Sequence, residues 1–154
     1  MIKTRSHLQR TTASLLVCVN LLLFLLVTPA HAEELLKEIS VQQLLAIMNS
    51  EGYSATIGND GRITWRIDND SALLSIPDNK RAIVFVAGFG DLSTLEKVNA
   101  FNRSSSFSRA FLTDDGNPRL RLDFDLTGGV TDANIHSFLR ICRISFTRWR
   151  KAVL

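Results

Sequence analysis

The sequence predicts an α+β fold: one domain with a mostly antiparallel sheet, element order α-β-β-β(-β)-α-β-β-α, and helices packed on the sheet. Three observations predict it. Apolar residues recur at helical spacing before Gly52, alternate from Tyr53 onward, and return to helical spacing after Thr131. Short Gly/Asn/Asp turns separate the alternating stretches, which suits an antiparallel meander and leaves no room for crossover helices. At 154 residues and 45% apolar composition, the chain supports one modest core and not two.

The first 32 residues stand apart. Residues 1–14 are basic and acid-free, Leu15 to Val27 is apolar except for Asn20, and Thr28-Pro29-Ala30-His31-Ala32 leads into Glu33-Glu34. These are the three parts of a secretory signal peptide, with small residues Ala30 and Ala32 before the scissile bond and Glu33 as the mature start. The expected organisation is therefore a signal peptide at 1–32 and a domain at 33–154, exported to the periplasm or secreted. An uncleaved anchor is the competing reading, but a span needs about 20 apolar residues. Membrane attachment is expected only if the leader stays on.

The leader also distorts the charge. The chain has 18 basic and 15 acidic residues, a net +3. Lys3, Arg5 and Arg10 supply that excess, so residues 33–154 are neutral. A strongly basic nucleic-acid-binding body is excluded as a class. Cleavage would leave a single cysteine, Cys142, expected to be buried as a small apolar side chain.

In order along the domain, Ser40-Val41-Gln42-Gln43 has capping-box form, with Ile39 and Leu44 spaced as a hydrophobic staple. A helix over 41–51 follows, ended by Gly52; residues 33–39 extend it or form a loose arm. Tyr53, Ala55 and Ile57 alternate as a strand, then comes the turn Gly58-Asn59-Asp60-Gly61. Ile63, Trp65 and Ile67 make the next strand, Ala72 to Ile76 another. The continuous apolar run Ala82 to Phe89 reads as a central strand covered on both faces. Ser93-Thr94-Leu95-Glu96 reads as a second capping box, opening a helix whose Leu95, Val98 and Phe101 face the core. Strands are expected at 107–113 and 119–126, joined by a polar turn. In the second, Leu120, Leu122, Phe124 and Leu126 alternate with Arg119, Arg121, Asp123 and Asp125, one dry face and one wet. Thr131 is placed to cap the last helix, whose Ile135, Phe138, Cys142, Phe146, Trp149 and Val153 form its apolar stripe.

Chemistry is sparse. Gly88-Phe89-Gly90 follows a strand and precedes a helix, but Ser93 stands where a dinucleotide fingerprint needs its third glycine, so the glycines read as relief of crowding. Asp123 and Asp125 share a strand face and could work as an acid–base pair. Arg119 and Arg121 share it too and would keep both carboxylates ionised. Asp114-Asp115-Gly116-Asn117 lacks the ligand spacing of a calcium loop. His136 is the one histidine beyond the leader, too few for a histidine metal site or a nucleophile system. No cofactor is expected. The last helix carries Arg140, Arg143, Arg148, Arg150 and Lys151 with no acid after Asp132. Ile141 and Ile144 lie off its main apolar stripe and could serve a homodimer.

Four stretches carry a family likeness: Leu44-Leu-Ala-Ile-Met-Asn-Ser-Glu-Gly-Tyr53, Leu92-Ser-Thr-Leu-Glu-Lys-Val-Asn-Ala-Phe-Asn-Arg103, Phe107-Ser-Arg-Ala-Phe-Leu-Thr-Asp-Asp-Gly116, and Leu126-Thr-Gly-Gly-Val-Thr131. In order and spacing they resemble the YbjN family, labelled as bacterial sensory transduction regulators, over about residues 40–150. The resemblance implies a fold similar to type III secretion chaperones and no catalytic residues. The expected function is thus an exported, non-enzymatic domain that binds a protein or peptide partner in a sensory, regulatory or chaperone-like role. Its candidate partner surface is Arg109, Arg121, Asp123, Asp125, Arg140, Ile141, Arg143 and Ile144. The alternative is a small periplasmic hydrolase or ligand-binding enzyme using the Asp123/Asp125 strand face.

Overall fold

The computed structural model describes residues 35–154; the leader, with Ala30, Ala32 and Glu33, lies outside the described residues. Helix α1 (Val41–Ser50) begins at the expected capping box: Gln43 N–H donates to Ser40 Oγ at 3.2 Å and Ser40 N–H to Gln43 Oε1 at 2.9 Å. Leu44 and Met48 are buried on its inner face, with Ile39 buried just ahead of the cap. The helix ends one residue short of the predicted 41–51, because Glu51 is already the C-cap and Gly52 turns the chain at φ +76°. The stretch before α1 neither extends it nor runs loose. Leu36 and Val130 exchange backbone hydrogen bonds at 2.8 and 2.9 Å, and Ile39 N–H donates to Lys80 O at 3.0 Å.

Six strands follow in the described residues: β1 (Ser54–Ile57), β2 (Ile63–Ile67), β3 (Asp70–Ser75), β4 (Ala82–Gly88), β5 (Arg109–Leu112) and β6 (Pro118–Asp125). Their spatial order is β1-β2-β3-β4-β6-β5, and every neighbouring pair is antiparallel. The predicted meander is β1 to β4; the hairpin β5–β6 then returns to place β6 against β4.

Register aligns the dry face. Trp65 lies opposite Ala72, Leu74 opposite Phe85, Phe85 opposite Leu122, and Ala87 opposite Leu120. These residues form one core with Leu44 and Met48, with Val98 and Phe101 of α2 (Leu95–Ser104), and with the stripe of α3 (Asp132–Val153). The expectation that β4 is covered on both faces is therefore corrected. Its Ile83, Phe85 and Ala87 enter the core, but Val84 and Val86 belong to the opposite face, over which no described element packs. Val84 is nonetheless buried, at strand level, between Ser75 of β3 and Asp123 of β6.

The second capping box is also corrected. The cap of α2 is Thr94, whose Oγ1 accepts from Lys97 N–H, while Ser93 Oγ donates to Val153 O at 2.9 Å. Leu95, in the first turn, is 61% exposed and does not face the core as expected, whereas Val98 and Phe101 are buried. Lys97 Nζ reaches Val153 O and Leu154 O, both at 3.4 Å, placing a cation on carbonyls that the end of α3 leaves open. Helix α3 is capped by Thr131 with a full box through Asn134. Its Ile135, Phe138, Leu139, Cys142, Phe146, Trp149 and Val153 are all buried.

The outer edge of β5 is closed by a side chain. Asn102 Nδ2 donates to Ala110 O at 2.9 Å and Ala110 N–H donates to Asn102 Oδ1 at 2.8 Å. One amide thus does what a further strand would do.

Candidate functional site

Strand β5 is shorter than β6, and the difference creates a shelf. Pairing of β5 with β6 starts at Arg109 opposite Arg121, so β6 continues through Leu122–Asp125 with β4 alone beside it. The predicted strand 107–113 is shortened at this end because Phe107 adopts φ +66° and leaves the ladder, 83% exposed. Ladder alternation fixes which backbone groups face the gap. Pro118 O accepts from Phe89 N–H and Leu126 N–H donates to Arg81 O, so even-numbered residues bond toward β4. Asn117 O accepts from Thr113 N–H on the other side, so the N–H and C=O of Asp123 and Asp125 point off the free edge.

Behind this edge is an apolar cavity of about 300 Å³. Leu122 and Phe124 of β6 form one wall, Phe138 and Ile141 of α3 the other, with Val130 and Phe107 at its ends. Phe124 and Phe138 stack at 4.9 Å between ring centroids, holding the two walls together. Asp123, Asn134 and Ser137 put the polar groups of the lining there.

The predicted surface residues do not form one patch. Arg109, Arg121, Asp123 and Asp125 lie on the sheet face opposite the core, with Arg109 directly opposite Arg121. Arg121 donates to both Asp123 oxygens at 2.7–3.0 Å, which holds its guanidinium still more firmly protonated. Arg109 has its guanidinium carbon 5.9 Å from the Phe111 ring centroid. Asp125 accepts from Thr127 Oγ1–H at 2.6 Å and Thr127 N–H at 2.9 Å, bonds that pull its carboxyl below its ordinary range. The expected pairing of both arginines with the acids is thus half right. Arg119 lies instead across Gly88, donating to Phe89 O at 3.1 Å, and a Cβ at Gly88 would stand 2.6 Å from Arg119 Cδ. Gly88 is there for that guanidinium. Asp123 is committed to Arg121 and Asp125 to a turn, and only Asp123 lines the cavity, so the two carboxylates face no common pocket.

On α3, Ile141 is half-buried in the cavity wall, while Ile144 is 53% exposed in a separate groove with Tyr53, Arg140, Arg143, Thr147 and Arg148. Arg148 donates to Ser104 O at 3.0 Å, Arg150 pairs with Asp70 at 3.0 Å, and His136 Nδ1 lies 3.1 Å from Glu51 Oε1. Arg140 and Arg143 have no carboxylate partner among the described residues. Burial drives the Cys142 thiol pKa well upward, and Cys142 is fully enclosed. No group of three or more His, Cys, Asp or Glu among the described residues could hold a metal ion. No helix among them is long and apolar enough to cross a membrane.

The cavity itself was not legible in the sequence. Phe124 and Phe138 read as ordinary core positions, and Phe107 as a strand residue. The one available signal was the run Ser104-Ser105-Ser106, a poor strand opening that leaves the next aromatic outside the ladder.

Among curated protein sequences none matches this chain. Among solved structures, it is similar to the crystal structure of YbjN from E. coli, there called "a putative transcription regulator". That match has 21% identity and a TM-score of 0.58, covering 78% of this chain and 98% of that one. It is also similar to the Yersinia pestis type III secretion chaperone SycH, solved with a stable fragment of YscM2. Here identity is 17% and the TM-score 0.45, covering 66% of this chain and 94% of that one. The YbjN family profile, described as "Putative bacterial sensory transduction regulator", matches residues 40–154. The chain belongs to the YbjN family.

Proposed function

We propose that this protein is an exported, non-enzymatic domain that binds a protein or peptide partner in a regulatory or chaperone-like role. The observation that carries the reading is the sheet face over which none of the described elements packs. Leu73 lies opposite Val86, with Val84 beside them, and the patch is bordered on β6 by Arg121 and Asp123, next to Val86 and Val84. A soluble sheet face with no partner is ordinarily polar at its centre. An apolar stripe framed by charges is the composition of an interaction surface, and a second copy of the chain would fit it as well as another protein. Export rests on the leader pattern.

The test is a photo-crosslinking residue placed at Val86 in the full chain, expressed in its own cells, with the same residue at Gln42, exposed on α1 and so away from this sheet face, as control. The expected result is a discrete crosslinked species from position 86, in the envelope fraction, on a chain whose amino terminus reads Glu33. A chain retained in the cytoplasm with its leader would overturn export. Equal crosslinking from both positions, or none, would overturn partner binding by this face.

A further inference from the structure

We propose that the free edge of β6 at Asp123–Asp125 is a strand-addition site for an extended peptide segment of the partner, read by one bulky apolar side chain and one preceding basic residue. This deepens the protein-binding reading and rests on it. A ladder that stops while its strand continues leaves backbone donors and acceptors facing outward. An incoming extended chain satisfies them, as in other β-augmentation complexes. The neighbouring edges differ. That of β5 is occupied by Asn102, whereas β6 has an apolar cavity directly under its open stretch.

Geometry sets the sequence preference. A segment running in the direction of β5 would place successive residues opposite Asp125, Phe124 and Asp123. The middle residue shares the inner face with Phe124, so its side chain enters the 300 Å³ cavity between Phe124, Phe138, Val130 and Ile141, room for a ring or a branched aliphatic group. The first residue meets Asp125, which has no cationic partner among the described residues and whose carboxylate stays ionised. A Lys or Arg complements it. The third meets Asp123, already neutralised by Arg121, where an uncharged residue fits. The backbone amides opposite Asp125 and Asp123 point into the ladder, and that of the apolar residue points away. Phe107, 83% exposed and in left-handed geometry unusual for an aromatic residue, also lines this cavity and would contact the inserted side chain.

The test is an NMR titration of the ¹⁵N-labelled protein with acetyl-Ser-Thr-Lys-Phe-Thr-Ser-amide. Shifts are expected at the Asp123 and Asp125 amides and at the methyls of Val130 and Ile141. Replacing the peptide Phe by Ser should weaken binding about tenfold or more, since each factor of ten is about 1.4 kcal/mol. N-methylation of the Thr after Phe should weaken it similarly, while N-methylation of the Phe should leave it nearly unchanged. Asp125→Lys should weaken binding, and changing the peptide Lys to Glu should restore it. Because the methylated peptides leave the protein untouched, they decide the question even if Asp125→Lys unfolds. Equal sensitivity to both methylations would overturn strand pairing. Shifts confined to Ala55 and Ile57 of β1, or to Leu73 and Val86, would overturn this site while leaving partner binding intact. Filling of the cavity by free phenethyl alcohol with no dependence on the peptide backbone would show a small-molecule pocket and overturn the proposal. No response at millimolar peptide would also overturn it.

Discussion

Replacing Asn102 by Ala removes both hydrogen bonds that close the β5 edge and leaves the Ala110 N–H and C=O without partners. Each bond contributes about 1 kcal/mol net, and a stranded backbone group costs about 1–3 kcal/mol when water cannot reach it. Ala110 is buried but lies on an edge strand, so partial hydration reduces the second contribution. The expected loss is therefore about 2–4 kcal/mol. With an unfolding entropy of about 2.1 cal/mol/K per residue, a domain of this size loses about 4 °C of Tm per kcal/mol, giving a fall of about 8–16 °C. Urea denaturation followed by tryptophan fluorescence measures this directly, because Trp65 and Trp149 are both enclosed in the core. Asn102→Asp is the sharper variant. It keeps an acceptor for the Ala110 N–H but sets a carboxylate against the Ala110 carbonyl, and should be no more stable than the Ala variant. A loss below about 0.5 kcal/mol in Asn102→Ala would refute the claim that this side chain substitutes for a strand.

Gly88→Ala should displace the Arg119 guanidinium from Phe89 O, costing about 1–3 kcal/mol for a charge-assisted bond; the double variant with Arg119→Ala should show little further loss from the Gly change, and full additivity in a double-mutant cycle would contradict the contact. Cys142 should react with an aromatic disulfide reagent only in denaturant, since burial both shields the thiol and raises its pKa; stoichiometric labelling of the native protein within minutes would contradict its placement. Asp125 is held below its ordinary pKa by Thr127, so its ionised form favours the folded state above the unfolded pKa, and that contribution is lost as pH falls through the lower folded value. Asp125→Asn should accordingly flatten the fall in Tm below about pH 4, and an unchanged acid limb would remove Thr127 as the cause.

What was legible in the sequence and what was not divides by distance along the chain. The Ser40–Gln43 capping box, the Thr131 cap, the Gly52 exit, the alternation of Ile63-Trp65-Ile67 and the buried stripe of α3 all depend on residues a few positions apart. Local geometry reports them in full. Errors arose where a choice depended on something remote. Ala82 to Phe89 reads as a strand covered twice because the sequence cannot say that the helices all pack against the Ile83/Phe85/Ala87 side. Ser93 reads as a cap, yet its hydroxyl is taken by Val153, sixty positions on. Asp123 and Asp125 read as equivalent neighbours, and only folding gave one to Arg121 and the other to Thr127.

The sequence by itself determined the α+β class, the element order and the dry faces of β2 and β6, because apolar period and turn chemistry are written in neighbouring residues. The three-dimensional fold decided that β5 stops short of β6, that Asn102 closes one edge while another stays open, and that a cavity forms between Phe107, Phe124 and Phe138. Those features come from strands of unequal length packed against a helix, and residues so far apart in the chain acquire a common wall only when the core assembles.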